Sequence, residues 1–73
     1  MIKELFDKFG TVLDITEISC GIYHVTLLKR RITYAWLKGL EKELRRNDMR
    51  IFGIEITPHD EGYLKAFFVV TPR

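Results

Sequence analysis

Residues 2–28 read IKELFDKFGTVLDITEISCGIYHVTLL, and this stretch decides the fold because it predicts one helix followed by a hairpin of two strands. Its first apolar residues recur at the three- and four-residue spacing of one helix face. They are Ile2, Leu5, Phe6 and Phe9. Gly10 then provides a natural helix stop. Residues 11–18 are rich in β-branched types, 19–21 form a turn, and the alternation that starts at Tyr23 predicts the second, antiparallel strand.

Parts of this stretch return about forty residues later in the chain. The matching segments are Lys3-Glu4-Leu5 with Lys42-Glu43-Leu44, Val12/Ile15 with Ile51/Ile54, and Tyr23-x-x-x-Leu27-Leu28 with Tyr63-x-x-x-Phe67-Phe68. The first two matches share one offset, and the third lies one residue later in register. They predict a duplicated α-β-β unit in which residues 2–28 superpose on residues 41–70.

The second half of the chain predicts a longer helix and a second hairpin. Thr33 is a candidate N-cap for a helix that runs to about Asn47. The apolar stripe of this helix consists of Trp36, Leu37, Leu40 and Leu44. Strands are predicted at 51–57 and 63–71, and each is followed by a proline. Because these two strands are the most apolar, we expect them at the centre of the sheet.

The sequence therefore predicts a single α+β domain over residues 1–73, an αββαββ duplication with a four-stranded antiparallel sheet and two helices on one face. A ferredoxin-like arrangement is the alternative. The expected aromatic core consists of Phe6, Phe9, Trp36, Phe52, Phe67 and Phe68. A chain of this length buries a modest core. We expect a homodimer, because the apolar residues 67–70 of the last strand would leave an open edge or apolar surface that needs cover.

Composition limits the classes of protein and of site. The 47% hydrophobic and 30% charged content is typical of a folded protein. The longest apolar run, 66–70, is too short for a membrane span, and charged residues stand where a signal peptide would be apolar, so we expect a cytoplasmic protein. Cys20 is the only cysteine, which excludes an internal disulfide. The absence of Gln beside abundant Lys, Arg and Glu is a thermophile-like composition.

Positive charge is concentrated in the middle of the chain. Residues 29–50 hold eight Lys or Arg against three acids, a net charge of +5. At 100° per residue, five of these cations fall on the helix face opposite the apolar stripe. They are Arg31, Lys38, Lys42, Arg45 and Arg46. This face predicts contact with nucleic-acid phosphates. The alternative is an ordinary solvated helix face.

Three tyrosines are candidates for stacking on bases or on a partner. Tyr34 lies near the basic helix face, while Tyr23 and Tyr63 occupy matching positions of the repeat. If both stood on the open face of the sheet, they would form a two-ring platform. The alternative is that they only stabilise their hairpins through cross-strand packing.

No residue pattern predicts catalysis, a metal or a cofactor. Cys20 and His24 lie across a turn and do not converge on a metal, and His59-Asp60 has no nucleophile beside it. The homing endonucleases that share this element order carry an acidic helix motif, which is missing here. We therefore expect a small cytoplasmic, non-enzymatic regulatory protein that binds nucleic acid. The alternative is a protein-interaction module or inhibitor of phage or mobile-element type, which acts through its open sheet face or an edge strand.

Overall fold

The computed structural model describes residues 2–73 and shows an α+β fold with two helices and one four-stranded antiparallel sheet. The elements are α1 (Ile2–Asp7), β1 (Thr11–Ser19), β2 (Ile22–Lys29), α2 (Tyr34–Arg46), β3 (Met49–Pro58), a 3-10 turn (Asp60–Gly62) and β4 (Leu64–Pro72). The predicted αββαββ order is confirmed, and the ferredoxin-like alternative does not apply.

The strand order is β1-β2-β4-β3, which places β2 and β4 at the centre and β3 at an edge. The expectation that β3 is central was wrong. After β2 the chain crosses over the sheet through α2 and forms β3, which is not the neighbour of β2. The chain then returns as β4, which lies between β2 and β3. High apolar content in β3 therefore does not mean burial, whereas the fully buried Val25 and Leu27 of β2 mark a central strand.

Both helices cover the same face of the sheet. Buried side chains from α1, α2, β2 and β4 form one cluster. Its members are Leu5, Phe6, Val25, Leu27, Leu40, Leu44, Ala66, Phe68 and Val70. Two of the aromatic residues expected in the core lie outside it, because Phe52 is 70% exposed on the edge strand and Phe67 is 42% exposed on the uncovered face.

Local interactions define the bounds of α2. The Thr33 side chain accepts a hydrogen bond from the backbone N–H of Trp36 at 3.1 Å, as predicted for an N-cap. At the other end, Asn47 Nδ2 donates to the carbonyl of Glu43 at 3.0 Å. Asp48 follows with a positive φ of 58°, which turns the chain into β3. The helix therefore ends where the sequence predicts, with its caps satisfied.

Both outer strands carry an irregularity at corresponding positions. The pairing register shifts at Leu13 in β1 and at Phe52 in β3, and these residues are 39 positions apart, the offset of the sequence repeat. Val12 and Ile51, which precede the two irregularities, pair with Leu27 and Val70. These partners are 43 positions apart and not 39, because the turn of the second hairpin is longer. The tyrosine match at offset 40 is outside this correspondence. The duplication itself stays a prediction.

Candidate nucleic-acid interface

The predicted basic face divides between α2 and the segment before it. Lys38, Lys42, Arg45 and Arg46 lie in α2 and are exposed, opposite the buried Leu40 and Leu44. Arg31 is exposed as well, but it precedes the N-cap Thr33 and lies outside the helix. The helix-face position expected for Arg31 was therefore wrong, because the helix begins three residues after it.

Carboxylates at the two borders of α2 neutralise part of this face. Lys38 Nζ lies 3.6 Å from the Glu41 carboxylate. The Glu43 carboxylate lies 3.4 Å from Arg46 and 3.1 Å from Lys8, which is in the turn after α1. All three pairs are at the surface, where an ion pair contributes about 0–1 kcal/mol. A phosphate can therefore replace these carboxylates at little cost.

Lys42 and Arg45 differ from their neighbours because neither forms an ion pair with any other side chain of residues 2–73. Lys42 lies near the middle of the exposed face, and Arg45 lies towards β3. No carboxylate among residues 2–73 neutralises these two cations, so both are available to an anionic group of another molecule.

Arg45 also lines a cleft between the end of α2 and the start of β3. The cleft has a volume of about 220 Å³. Its lining residues are Glu41, Arg45, Met49, Arg50, Ile51 and Arg73, and we call it the arginine cleft. Within the described part of the chain, none of its three guanidinium groups pairs with a carboxylate. Arg45 and Arg73 make this cavity a favourable site for an anionic group, whereas Arg50 lines it from β3 with its side chain on the sheet face without helices.

The sheet register builds this cleft. The edge strand begins at Met49, opposite Pro72, so the chain after β4 runs beside the turn that joins α2 to β3. The backbone N–H of Arg73 donates to the carbonyl of Asp48 at 2.9 Å, which fixes Arg73 at the cleft. Arg50 and Arg73 were missed in the sequence analysis. Arg50 follows the end of α2 by only four residues, whereas Arg73 is distant in sequence and only strand pairing brings it to the helix.

Tyr34 is 74% exposed at the start of α2, and Lys38 Nζ lies 5.3 Å from the centre of its ring. Interaction with the Tyr34 hydroxyl, and secondarily with the Glu41 carboxylate, raises the pKa of Lys38 above its ordinary value of 10.5. A raised lysine pKa means that the charged form of Lys38 is favoured. Lys38 therefore remains a cation under any physiological condition.

The other two tyrosines do not form a platform on the open sheet face. Tyr23 pairs with the buried Val70 and packs against the core on the helix-covered side. Tyr63 precedes β4, and the Arg30 guanidinium lies 4.2 Å from the centre of its ring. The two-ring platform that the sequence left open is therefore not formed, and Tyr23 contacts the core instead.

Among residues 2–73, no group of three His, Cys, Asp or Glu side chains lies close enough together to hold a metal ion. No helix in that range has both the length and the apolar character needed to cross a membrane. Comparison with protein-family models, with curated proteins and with solved structures gave no match.

Proposed function

We propose that this chain is a small cytoplasmic regulatory protein that binds nucleic acid through the exposed face of α2 and the arginine cleft. The observation that carries the proposal is the convergence of unpaired cations. Lys42 and Arg45 of the helix and Arg73 from the end of the chain have no carboxylate partner among the described residues. We assign it no reaction and no cofactor.

Phosphate contact explains why such cations would remain unpaired. Each phosphate that a Lys or Arg neutralises releases condensed counterions, which adds affinity that does not depend on sequence. For duplex DNA, log K falls by about 0.9 per contact for each unit of log salt. Lys42, Arg45 and Arg73 would therefore give a slope of roughly −3, and Lys38 and Arg46 would add to it if they exchange their carboxylates for phosphates.

The test is a titration of fluorescent duplex DNA, single-stranded DNA and RNA at several salt concentrations. Arg45→Glu is the informative variant, and Lys65→Glu is its matched control because it makes the same charge change on β4, on the sheet face without helices. We expect Arg45→Glu to weaken binding to every nucleic acid and to flatten the salt slope by roughly one unit, while Lys65→Glu has a much smaller effect. Equal losses in the two variants, or no binding by the wild type at low salt, would contradict the proposal.

A second candidate function is protein interaction through the edge strand β3. It is favoured by the exposed apolar side chains of this strand, since Phe52 is 70%, Ile54 40% and Ile56 43% exposed. An unpaired strand edge that carries apolar residues is a template for pairing with another chain. A chain that binds no nucleic acid but associates with protein through β3 would support this candidate, including its form as a phage or mobile-element inhibitor.

A further inference from the structure

The free edge of β3 is long and uncovered, although it carries a bulge at Phe52, the charges of Arg50 and Glu55 and a proline at its end. It is ten residues long, pairs only with β4 within the described chain, and contains no lysine. Natural edge strands are usually short, charged or covered. The exposed Ile54 and Ile56 lie on the helix side of the sheet, opposite the buried Phe68 and Ala66, where the chain's own helices leave them partly uncovered.

The bulge at Phe52 arranges the charges of β3 in a self-complementary way. Arg50 pairs with Thr71 and Glu55 pairs with Phe67, and these two partners are four residues apart on β4. Arg50 and Glu55 therefore lie on the same face of the sheet, although they are five positions apart and would lie on opposite faces of a regular strand. On the other face, Ile51 and Ile54 are brought together in the same way.

Gly53 leaves a depression beside this bulge. The depression has a volume of about 280 Å³ and is lined by Gly53, Glu55, Phe67, Val69 and His24, with contributions from Ile54 and Phe68. A Cβ atom placed on Gly53 would meet nothing within 4 Å, and the φ angle of this residue is not in the left-handed region. Neither the fold nor the backbone requires glycine here. A glycine inside a strand often marks the close approach of another molecule.

We propose that β3 pairs antiparallel with β3 of a second copy of this chain, about a two-fold axis between Phe52 and Gly53. Arg50 then faces Glu55 of the second copy, Ile51 faces Ile54, Met49 faces Ile56, and every such pair occurs twice. Phe52 of each copy lies over Gly53 of the other, and its ring enters the depression. Cross-strand aromatic cover of a glycine is a known stabilising pairing.

The depression is large enough for this ring. A cavity of about 150 Å³ suffices to hold benzene, so 280 Å³ accommodates a phenyl group. The charges of β3 also favour this register over the register shifted by one residue. With the axis on Gly53 itself, Arg50 would face Ile56 and Glu55 would face Ile51, so both charges would be placed against apolar side chains. The charge pattern therefore identifies a second copy as the occupant of this edge.

This inference rests on the proposed use of β3 as a protein-interaction surface, and it names the partner. It corrects the sequence-based expectation that the last strand provides the open edge, because β4 is central. The resulting sheet would have eight strands. Since a two-fold axis perpendicular to the sheet preserves its faces, both α2 helices would lie on the same side.

The first test is sedimentation of the chain alone across a range of concentrations. The mass should rise from 8.6 kDa towards twice that value. Gly53→Val should fill the depression and leave a monomer. Its melting temperature should not fall below that of the wild type at concentrations where the wild type is itself monomeric, because the added atoms meet open space. Phe52→Ser should weaken the dimer by more than about tenfold. Leu13→Ser, at the corresponding bulge of the other edge strand, is the matched control and should leave the dimer intact.

A charge exchange tests the register. Arg50→Glu and Glu55→Arg should each weaken the dimer because like charges would then face each other, and the double variant should restore it. Because the bulge shortens the strand, the two residues are about 14 Å apart within one copy, which is beyond the screening length of about 10 Å, so restoration is not expected from an interaction inside one copy. A double variant that stays monomeric would overturn the register.

Two further outcomes would overturn the dimer as a whole. One is a wild-type monomer at concentrations up to about 1 mM. The other is a wild-type dimer that neither Gly53→Val nor Phe52→Ser affects, since another surface would then hold it together. A strictly monomeric chain that still binds nucleic acid with the expected salt slope would refute the dimer and leave the nucleic-acid proposal standing. These experiments therefore separate the two proposals.

Discussion

Replacing Trp36 with Ala tests how α2 is attached to the sheet. The indole is half-buried, packs at 6.3 Å from the Phe9 ring and 6.2 Å from the Phe68 ring, and donates its Nε1–H to the Phe9 carbonyl at 2.9 Å. Truncation of a fully buried Trp costs about 3–5 kcal/mol. Half-burial reduces this packing loss to about 2 kcal/mol, and the lost hydrogen bond adds about 1 kcal/mol.

The total of about 3 kcal/mol is a large part of the stability expected for a domain of this size, about 4–11 kcal/mol. Because 1 kcal/mol shifts the melting temperature of such a domain by about 4–8 °C, we expect a decrease of roughly 12–24 °C. The chain has only one Trp, so unfolding must be followed by circular dichroism rather than by its fluorescence. Tyr34→Ala, two residues earlier and 74% exposed, is the control and should change stability by about 0.5 kcal/mol or less. Equal effects of the two variants would refute the orientation of α2, and the basic face would then have to be assigned again.

Three further substitutions test local features in thermal unfolding. Thr33→Ala removes the N-cap hydrogen bond and should destabilise the chain by about 1 kcal/mol, while Thr33→Ser should retain most of it. Gly39→Ala should stabilise it by up to about 1 kcal/mol, because the added Cβ meets an aromatic carbon at an ordinary 3.7 Å inside a helix; a lower melting temperature would contradict this. Gly10→Ala should instead cost about 1 kcal/mol or more, since its Cβ would lie 3.1 Å from the Leu28 carbonyl oxygen; unchanged stability would show that the strand can move away.

The local elements of this fold are predictable because each depends on residues close in sequence. The spacing of Leu5, Leu40 and Leu44 identifies the two helices, Thr33 gives the start of α2, and Gly21, at a positive φ of 76°, gives the first hairpin turn. The antiparallel character of the sheet follows from two short hairpins. The strand order does not follow in this way, because apolar content alone does not distinguish an edge strand from a central one.

The faces of the strands are the second feature that sequence pattern did not predict. The bulge at Phe52 reverses the alternation within β3, so a strict period of two assigns the wrong face on one side of it. The basic residues of α2 could be predicted from helix geometry. Arg73 could not, since its place beside α2 depends on the register of β3 against β4, and the sheet face of Arg50 depends on the same register.

Arg50 is the one residue that both proposals use, and this makes them testable together. It lines the arginine cleft, and it faces Glu55 of the second copy in the proposed dimer. Its register with Thr71 puts the Arg50 side chain on the sheet face of Glu55, so a phosphate in the cleft would have to draw the guanidinium around the sheet edge and away from that carboxylate. Because coupling between two binding events is reciprocal, a bound phosphate must then weaken the dimer by the same factor by which dimerisation weakens phosphate binding.

A short oligonucleotide, too small to reach both copies, isolates this competition from any bridging effect. We expect it to shift the wild-type sedimentation profile towards the monomer at low salt. Arg50→Ala removes the shared group, so in that variant the weaker remaining dimer should no longer respond to the oligonucleotide. Longer duplexes that contact both α2 helices would act in the opposite direction, because the two basic faces lie on the same side of the sheet. A short oligonucleotide that strengthens the wild-type dimer would show that Arg50 is not shared, and one of the two assignments of this residue would have to be abandoned.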